Sequence, residues 1–127
     1  MSEETKTCEQ DPFCGVKVIK DPANPTDFEK KHTPVIKAPD TVTPGEVFTV
    51  TVEVGKVVPH PNEVGHFIQW VELYSGDTYL ARVDLTPVMT DPVVTVPVRL
   101  GHGHTLKAVA RCNLHGVWVG HKDVKVA

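Results

Sequence analysis

A cysteine and a histidine lie three residues apart in the stretch RCNLHGVW, residues 111–118, where Cys112 and His115 flank a turn that ends in glycine. Upstream, the stretch VVPHPNEVGHFIQW carries His60 and His66 on either side of a loop rich in turn-forming residues. Thiolate sulfur and imidazole nitrogen are ligands that suit iron, copper and zinc. The alternative is that Cys112 and His115 merely pack at a strand end. Taken together, the two segments favour one shared metal site.

Four further histidines complete the set of seven. His32, in FEKKHTPVIKAP, follows two lysines whose charge disfavours a protonated imidazole, so it is a candidate ligand. The glycine-rich stretch GHGH and the last strand contain the others, which we expect to be exposed loop residues without a metal. These are His102, His104 and His121.

Alternating apolar and polar residues dominate the chain after about residue 28, as expected for strands with one buried face. The pattern predicts strands within residues 46–54, 66–74, 78–85, 93–100, 105–112 and 116–126, and Pro34 opens another. Pro97 places its strand at a sheet edge. About seven short strands separated by turn signals predict an all-β fold, an immunoglobulin-like antiparallel β-sandwich.

The chain of 127 residues has the length of one domain, which we divide into an N-terminal arm, 1–28, and a metal-binding sandwich domain, 29–127. A net charge of −3 leaves no basic surface for nucleic acid, and no apolar run is long enough to span a membrane. The polar, acidic start does not resemble a secretory signal, so we expect a cytoplasmic protein with reduced cysteines.

Cys8 and Cys14 lie in the arm, separated by five residues. A closed site with four ligands would need two more thiolates or histidines nearby, and the arm has none. We therefore interpret them as two free or mutually oxidisable thiols.

The segments EKKHTPVI, HPNEVGHFIQWVELY and CNLHGVW, in this order and spacing, resemble superoxide reductases of the neelaredoxin and desulfoferrodoxin group. The resemblance covers residues 28–126 and implies a β-sandwich that holds a mononuclear iron. Four imidazoles and one axial thiolate are implied as ligands, from His32, His60, His66, His115 and Cys112. The second, N-terminal iron centre of desulfoferrodoxins requires four cysteines, so the resemblance implies the single-iron type.

The resemblance also implies the reaction and its partners. Superoxide would take the open sixth position and be reduced to hydrogen peroxide in defence against oxidative stress. An external donor such as rubredoxin would return the electron. Related single-iron proteins are commonly homotetramers.

Two residues near His32 correspond to functional positions in the family. Lys31 matches a lysine that attracts superoxide and orders a proton-donating water, which would make it catalytic. The carboxylate that caps the ferric iron is expected directly before that lysine, but Lys30 stands there and Glu29 is one residue further away. In an extended segment one step of register turns a side chain to the opposite face, so Glu29 would reach the iron only through a bulge. We therefore expect the ferric form to bind water or hydroxide instead of Glu29.

Three residues around the cysteine turn are expected to support the ligands. The backbone amides of Asn113 and Leu114 are placed to donate hydrogen bonds to the sulfur of Cys112 and so tune its potential. Trp118 is expected to lie near the site and to shield one side of the thiolate.

Two alternatives remain. A cupredoxin-like electron-transfer protein uses two histidines, a cysteine and a weak methionine shortly after the second histidine, but no methionine follows His115. A metal-free immunoglobulin-like binding module would leave the clustered histidines unexplained. Metal analysis separates the three readings by finding iron, copper or nothing.

Overall fold

The predicted all-β architecture is confirmed by the computed structural model, which describes residues 7–127. These residues form nine strands and one helix of six residues. In chain order they are β1 Val16–Lys17, α1 Asp27–His32, β2 Val35–Lys37, β3 Thr41–Val42, β4 Phe48–Glu53, β5 Ile68–Ser75, β6 Thr78–Asp84, β7 Val93–Val98, β8 His104–Cys112 and β9 Gly116–Val126. No helix in this part of the chain has the length and hydrophobicity to cross a bilayer.

Two sheets make up the sandwich. One has the order β1-β9-β8-β5-β6, with β3 also paired to β9, and the other has the order β2-β4-β7. The long strands pair antiparallel, whereas β1 and β3 add to β9 in parallel. As Pro97 predicts, its strand β7 lies at a sheet edge, where a missing backbone donor leaves no partner unsatisfied.

Strand alternation builds the core and also places the thiol. Along β8 the residues Leu106, Ala108, Ala110 and Cys112 point inward, and each is at most 1% exposed. They belong to the same apolar cluster as the inward residues of β4 in the facing sheet. Cys112 is the last member of this row, so its sulfur lies where the core meets the turn between β8 and β9.

Helix α1 corrects the expectation that the segment before His32 is extended. Its N-terminus is a capping box in which the Thr26 side chain accepts from the Glu29 amide and the Glu29 side chain accepts from the Thr26 amide. It ends at His32 because Thr33 precedes a proline and takes an extended conformation, with φ −73° and ψ 122°.

Gly120 of β9 allows the segment after α1 to approach the sheet closely. A Cβ atom at this position would collide with the backbone carbonyl oxygen of Pro34 and would also touch the Thr33 side chain. The absence of a side chain at Gly120 therefore fixes how near the end of α1, and with it His32, lies to β9.

The N-terminal arm lies along β9 through β1, with Val16 opposite Val117 and Lys17 opposite Trp118. Cys8 and Cys14 form a disulfide in the arm, so the expectation of reduced cysteines is wrong here and the mutually oxidisable alternative holds. The division into an arm, 1–28, and a domain, 29–127, stays a prediction; α1 spans the boundary between them.

Candidate metal centre

Four of the predicted ligands converge at one end of the sandwich. The ligand atoms of His32, His60, His66 and Cys112 all lie within 4.8 Å of one another. His32 is the last residue of α1, His60 and His66 flank the loop before β5, and Cys112 ends β8. Segments distant along the chain thus deliver three imidazoles and one thiol to one point.

His115 adjoins this group through its Nδ1 atom. That nitrogen lies 3.1 Å from Nε2 of His32 and 3.8 Å from the sulfur of Cys112. The His115 ring also packs edge-on against that of His66, with 5.2 Å between centroids. The turn between β8 and β9 therefore brings a fourth imidazole to the cluster.

Backbone carbonyls orient two of the imidazoles. The Nδ1 atoms of His32 and His60 lie 2.7 Å from the carbonyl oxygen of Phe28 and 2.6 Å from that of Pro61, respectively. Since a carbonyl only accepts, each Nδ1 carries the proton and donates it. The lone pair of each Nε2 then faces the cluster, with Nε2 of His60 3.3 Å from the Cys112 sulfur.

His66 supplies the test of whether a cation fits. Its Nε2 is buried and has no hydrogen-bond partner among the described residues. Buried nitrogens are nearly always partnered, and the His66 side chain belongs to a group of imidazoles and a thiol whose ligand atoms lie within 4.8 Å of one another. The donor set therefore fits a transition-metal cation.

Burial keeps the imidazoles ready to bind metal. Desolvation, reinforced by the neighbouring imidazoles, lowers the pKa of His32 to about 3 and that of His60 to about 4. The pKa of His66 is also lowered, by burial first and then by the charge of Lys31. At neutral pH these rings are uncharged, and their lone pairs are available.

The thiol of Cys112 is subject to opposing influences. Burial raises its pKa, and hydrogen bonds from the backbone amides of Leu114 and His115 partly offset that rise. The expectation for Asn113 is wrong, because its amide donates to the carbonyl of Phe67 at 3.2 Å rather than to the sulfur. His115 supplies the second amide instead, which sequence spacing alone did not reveal.

Lys31 and Glu29 have different surroundings. The charge of Lys31 lowers the pKa of both His60 and His66, so its ammonium acts on the cluster. The Glu29 carboxylate is 2% exposed and accepts from the Thr26 and Lys20 amides, each at 2.9 Å, which lowers its pKa. Both of its oxygens are thus engaged at the start of α1.

Comparison with known proteins identifies the family of this chain. The family model described as Desulfoferrodoxin matches residues 24–121. A protein from Methanocaldococcus jannaschii is 46% identical over 115 residues, which is 88% of this chain and 95% of that protein. The chain belongs to the desulfoferrodoxin family. The superoxide reductase of Pyrococcus furiosus is 33% identical over 107 residues, 70% of this chain and 84% of that protein.

A solved desulfoferrodoxin relative shares the fold. The structure of the superoxide reductase (neelaredoxin) from Ignicoccus hospitalis superposes with a TM-score of 0.70 at 41% identity, covering 76% of this chain and 81% of that one. The family predicted from the three sequence segments is confirmed, and neither the cupredoxin-like nor the metal-free alternative is favoured.

Two asparagine side chains of this chain anchor the loops that carry the candidate ligands. Asn113 accepts from the Phe67 amide and donates to the Gly65 carbonyl, both at 2.9 Å, so it ties the cysteine turn to the loop of His66. Asn62 accepts from the Val88 amide at 2.7 Å and so anchors the loop that follows His60. The segment HPN therefore has a structural role besides carrying His60.

Two aromatic rings pack against the imidazoles of the site. Trp118 is 1% exposed, lies stacked on the His32 ring at 5.1 Å and donates from Nε1 to the His115 carbonyl at 3.1 Å. Its ring thus contacts the imidazole of His32, and the shielding of the Cys112 thiolate stays a prediction. Phe28, which sequence reasoning missed, contacts the rings of His32, His115 and Trp118 and lies one helical turn before His32.

Proposed function

We propose that this chain reduces superoxide to hydrogen peroxide at one iron ion held by His32, His60, His66, His115 and Cys112. The observation that carries the proposal is the convergence of three imidazoles and one thiol within 4.8 Å, with a buried nitrogen on His66 that has no hydrogen-bond partner among residues 7–127. Membership of the desulfoferrodoxin family and relatives named superoxide reductase support it.

The ligand set suits this reaction in number and charge. Five protein ligands would exceed the four of a closed zinc site, and an ion that takes six ligands would have one place left for a substrate. Four neutral imidazoles and one thiolate carry a single negative charge, so a divalent ion keeps net positive charge and attracts an anion. Bound ferrous iron supplies the one electron that superoxide needs, and two protons complete hydrogen peroxide.

The surrounding residues prepare the site. Phe28 and Pro61 carbonyls hold two imidazoles in the tautomer that binds metal, and the amides of Leu114 and His115 stabilise an anionic sulfur. Lys31 contributes a local positive charge beside His60 and His66 that attracts superoxide, although the chain as a whole carries a net charge of −3.

The finer parts of the proposal concern partners and setting. Because the reaction releases no dioxygen, each turnover requires one electron from outside, and a small redox protein such as rubredoxin fits that role. The chain acts in the cytoplasm, in defence against oxidative stress, and assembles as a homotetramer.

The test is anaerobic loading with ferrous iron, metal analysis and stopped-flow mixing with superoxide. About one iron per chain and fast loss of superoxide without release of dioxygen are expected. Cys112→Ser should lose this reactivity while keeping the β circular dichroism of the fold. Copper or zinc retained in place of iron, or full activity in Cys112→Ser, contradicts the proposal.

The role of Lys31 is tested in the same assay. Lys31→Met should lower the second-order rate constant about tenfold at low ionic strength, because a nearby charge steers an anion. Added salt should narrow the difference. The exposed Lys37 of β2 provides the control, and Lys37→Met should react like the unmodified chain. Equal rates for the two variants would remove Lys31 from the mechanism.

A further inference from the structure

Lys17 is a buried lysine that the proposed reaction does not use. The residue is 6% exposed, although lysine is rarely buried without partners. Its Nζ donates to the carbonyl oxygen of Asp11 at 2.6 Å and to that of His115 at 3.1 Å. The arm thus places an ammonium group against the backbone of a proposed ligand.

The turn that carries Cys112 and His115 is shaped to receive this ammonium. The His115 carbonyl accepts from Trp118 Nε1 as well as from Lys17. Gly116 follows with φ +80°, and a Cβ atom there would lie 2.7 Å from the Lys17 Nζ and 2.8 Å from the Pro12 carbonyl oxygen. Glycine at this position therefore provides both the left-handed conformation and the space for the lysine.

The same contact brings the charge of Lys17 close to the cysteine. Cys112 lies opposite Gly116 in the pairing of β8 with β9, and a Cβ atom on Gly116 would lie 2.7 Å from the Lys17 Nζ. The His115 carbonyl that accepts from this ammonium belongs to the same turn. The same side chain therefore fixes one proposed ligand through its backbone and places a positive charge near another.

We propose that Lys17 is a positioning residue that holds the His115 carbonyl and adds a fixed positive charge near Cys112, and so tunes the bond between metal and thiolate. This inference rests on the proposed function. With the charge in place, the sulfur donates less electron density and the ferric state is less favoured. Removing the charge of Lys17 should increase electron donation from the Cys112 sulfur and make the iron easier to oxidise.

The experiment compares three variants of the full chain. Lys17→Met removes the charge and the donor, whereas Lys17→Arg keeps both. Lys20→Met is the control, because Lys20 lies in the same arm with 79% of its side chain exposed. If Lys17→Met does not fold, Lys17→Gln takes its place, since glutamine keeps an N–H donor without the charge.

The first readout uses iron-loaded protein without superoxide. In Lys17→Met the thiolate-to-ferric charge-transfer band should move to longer wavelength. The ratio of affinities for ferric and ferrous iron should rise about tenfold, a shift of ~59 mV to lower midpoint potential for one electron. Lys17→Arg should restore most of both values, and Lys20→Met should match the unmodified chain. An unmoved band and potential in Lys17→Met would overturn the proposal.

The second readout uses the metal-free chain, so it holds whether or not iron is the metal. Loss of the contact should accelerate hydrogen exchange at the amides of Leu114 and His115 in Lys17→Met, and not in Lys20→Met. If the unmodified chain binds no iron but Lys17→Met still shows this faster exchange, the proposed function is refuted and the contact between Lys17 and the turn is supported. Unchanged exchange refutes that hold.

Discussion

Glu29 offers the sharpest test of how the site is built. It lies three residues before the proposed ligand His32, but its carboxylate accepts hydrogen bonds from backbone amides at the start of α1 and in the arm. Its Oε1 accepts from the Thr26 amide and its Oε2 from the Lys20 amide, each at 2.9 Å, and the side chain is 2% exposed. Glu29→Ala removes both bonds and leaves two backbone donors without their partner. The start of α1 and its link to the arm should weaken together.

The size of the loss follows from the bonds removed. A hydrogen bond to a charged group contributes about 1.5–3 kcal/mol, and water enters partly in the variant, so we expect a loss of about 2–4 kcal/mol. With an m-value of about 1–3 kcal/mol per molar urea, the unfolding midpoint should fall by roughly 1–2 M. Glu29→Gln keeps one acceptor oxygen and should lose about half as much.

The assay is urea unfolding of the metal-free chain, followed by the spectrum of the iron-loaded ferric form. The pKa of Glu29 is lowered in the fold, so its contribution to stability is present above its ordinary pKa of 4.5 and is lost as pH falls below that value. The difference between the unmodified chain and Glu29→Ala should therefore shrink on acidification. An unchanged midpoint would refute the capping role. A marked change of the ferric spectrum in Glu29→Ala without any loss of metal affinity would show that the carboxylate binds iron.

Two more predictions concern protonation and packing. His32 and His60 bind fewer protons folded than unfolded, so stability of the metal-free chain should fall as pH drops from 6.5 toward 3–4. By pH 5 the loss of unfolding free energy should reach about 2–3 kcal/mol in urea unfolding, since each group contributes at most about 1.4 kcal/mol per pH unit. A double variant with glutamine at both positions that keeps the full pH dependence of stability would contradict this. Gly120→Ala should cost about 2–3 kcal/mol in the same assay, because its Cβ meets the Pro34 carbonyl. Gly101→Ala, which meets nothing within 4 Å, should be neutral, and equal stabilities would refute the close approach.

The features that sequence predicted are those encoded locally. The last strand, predicted at 116–126, is β9 with the same bounds, because its alternation continues to the end of the chain. The inward row of β8 ends at Cys112, and the glycine turn after it brings His115 back beside the sulfur. Spacing within each segment therefore sufficed to find the side chains that the structure brings together at the candidate site.

The features that sequence missed depend on distant contacts or on very short elements. The two-residue strands β1 and β3 have no periodicity, and each is a strand only because it lies beside β9. Helix α1 is also too short to show a helical pattern. Its signal was present as threonine and glutamate three residues apart, Thr26 and Glu29, before the proline that ends it.

The placement of His32 in the candidate metal centre depends on contacts outside the proposed ligand set. Cys112 and His115 share one turn, but His32 reaches them only because α1 begins at its capping box and Gly120 lets the segment after it approach β9. Damage at Glu29 or Gly120 should therefore weaken metal binding through the placement of His32, although neither residue belongs to the proposed ligand set. A core truncation that lowers stability equally but leaves α1 in place should retain its metal more tightly than either variant.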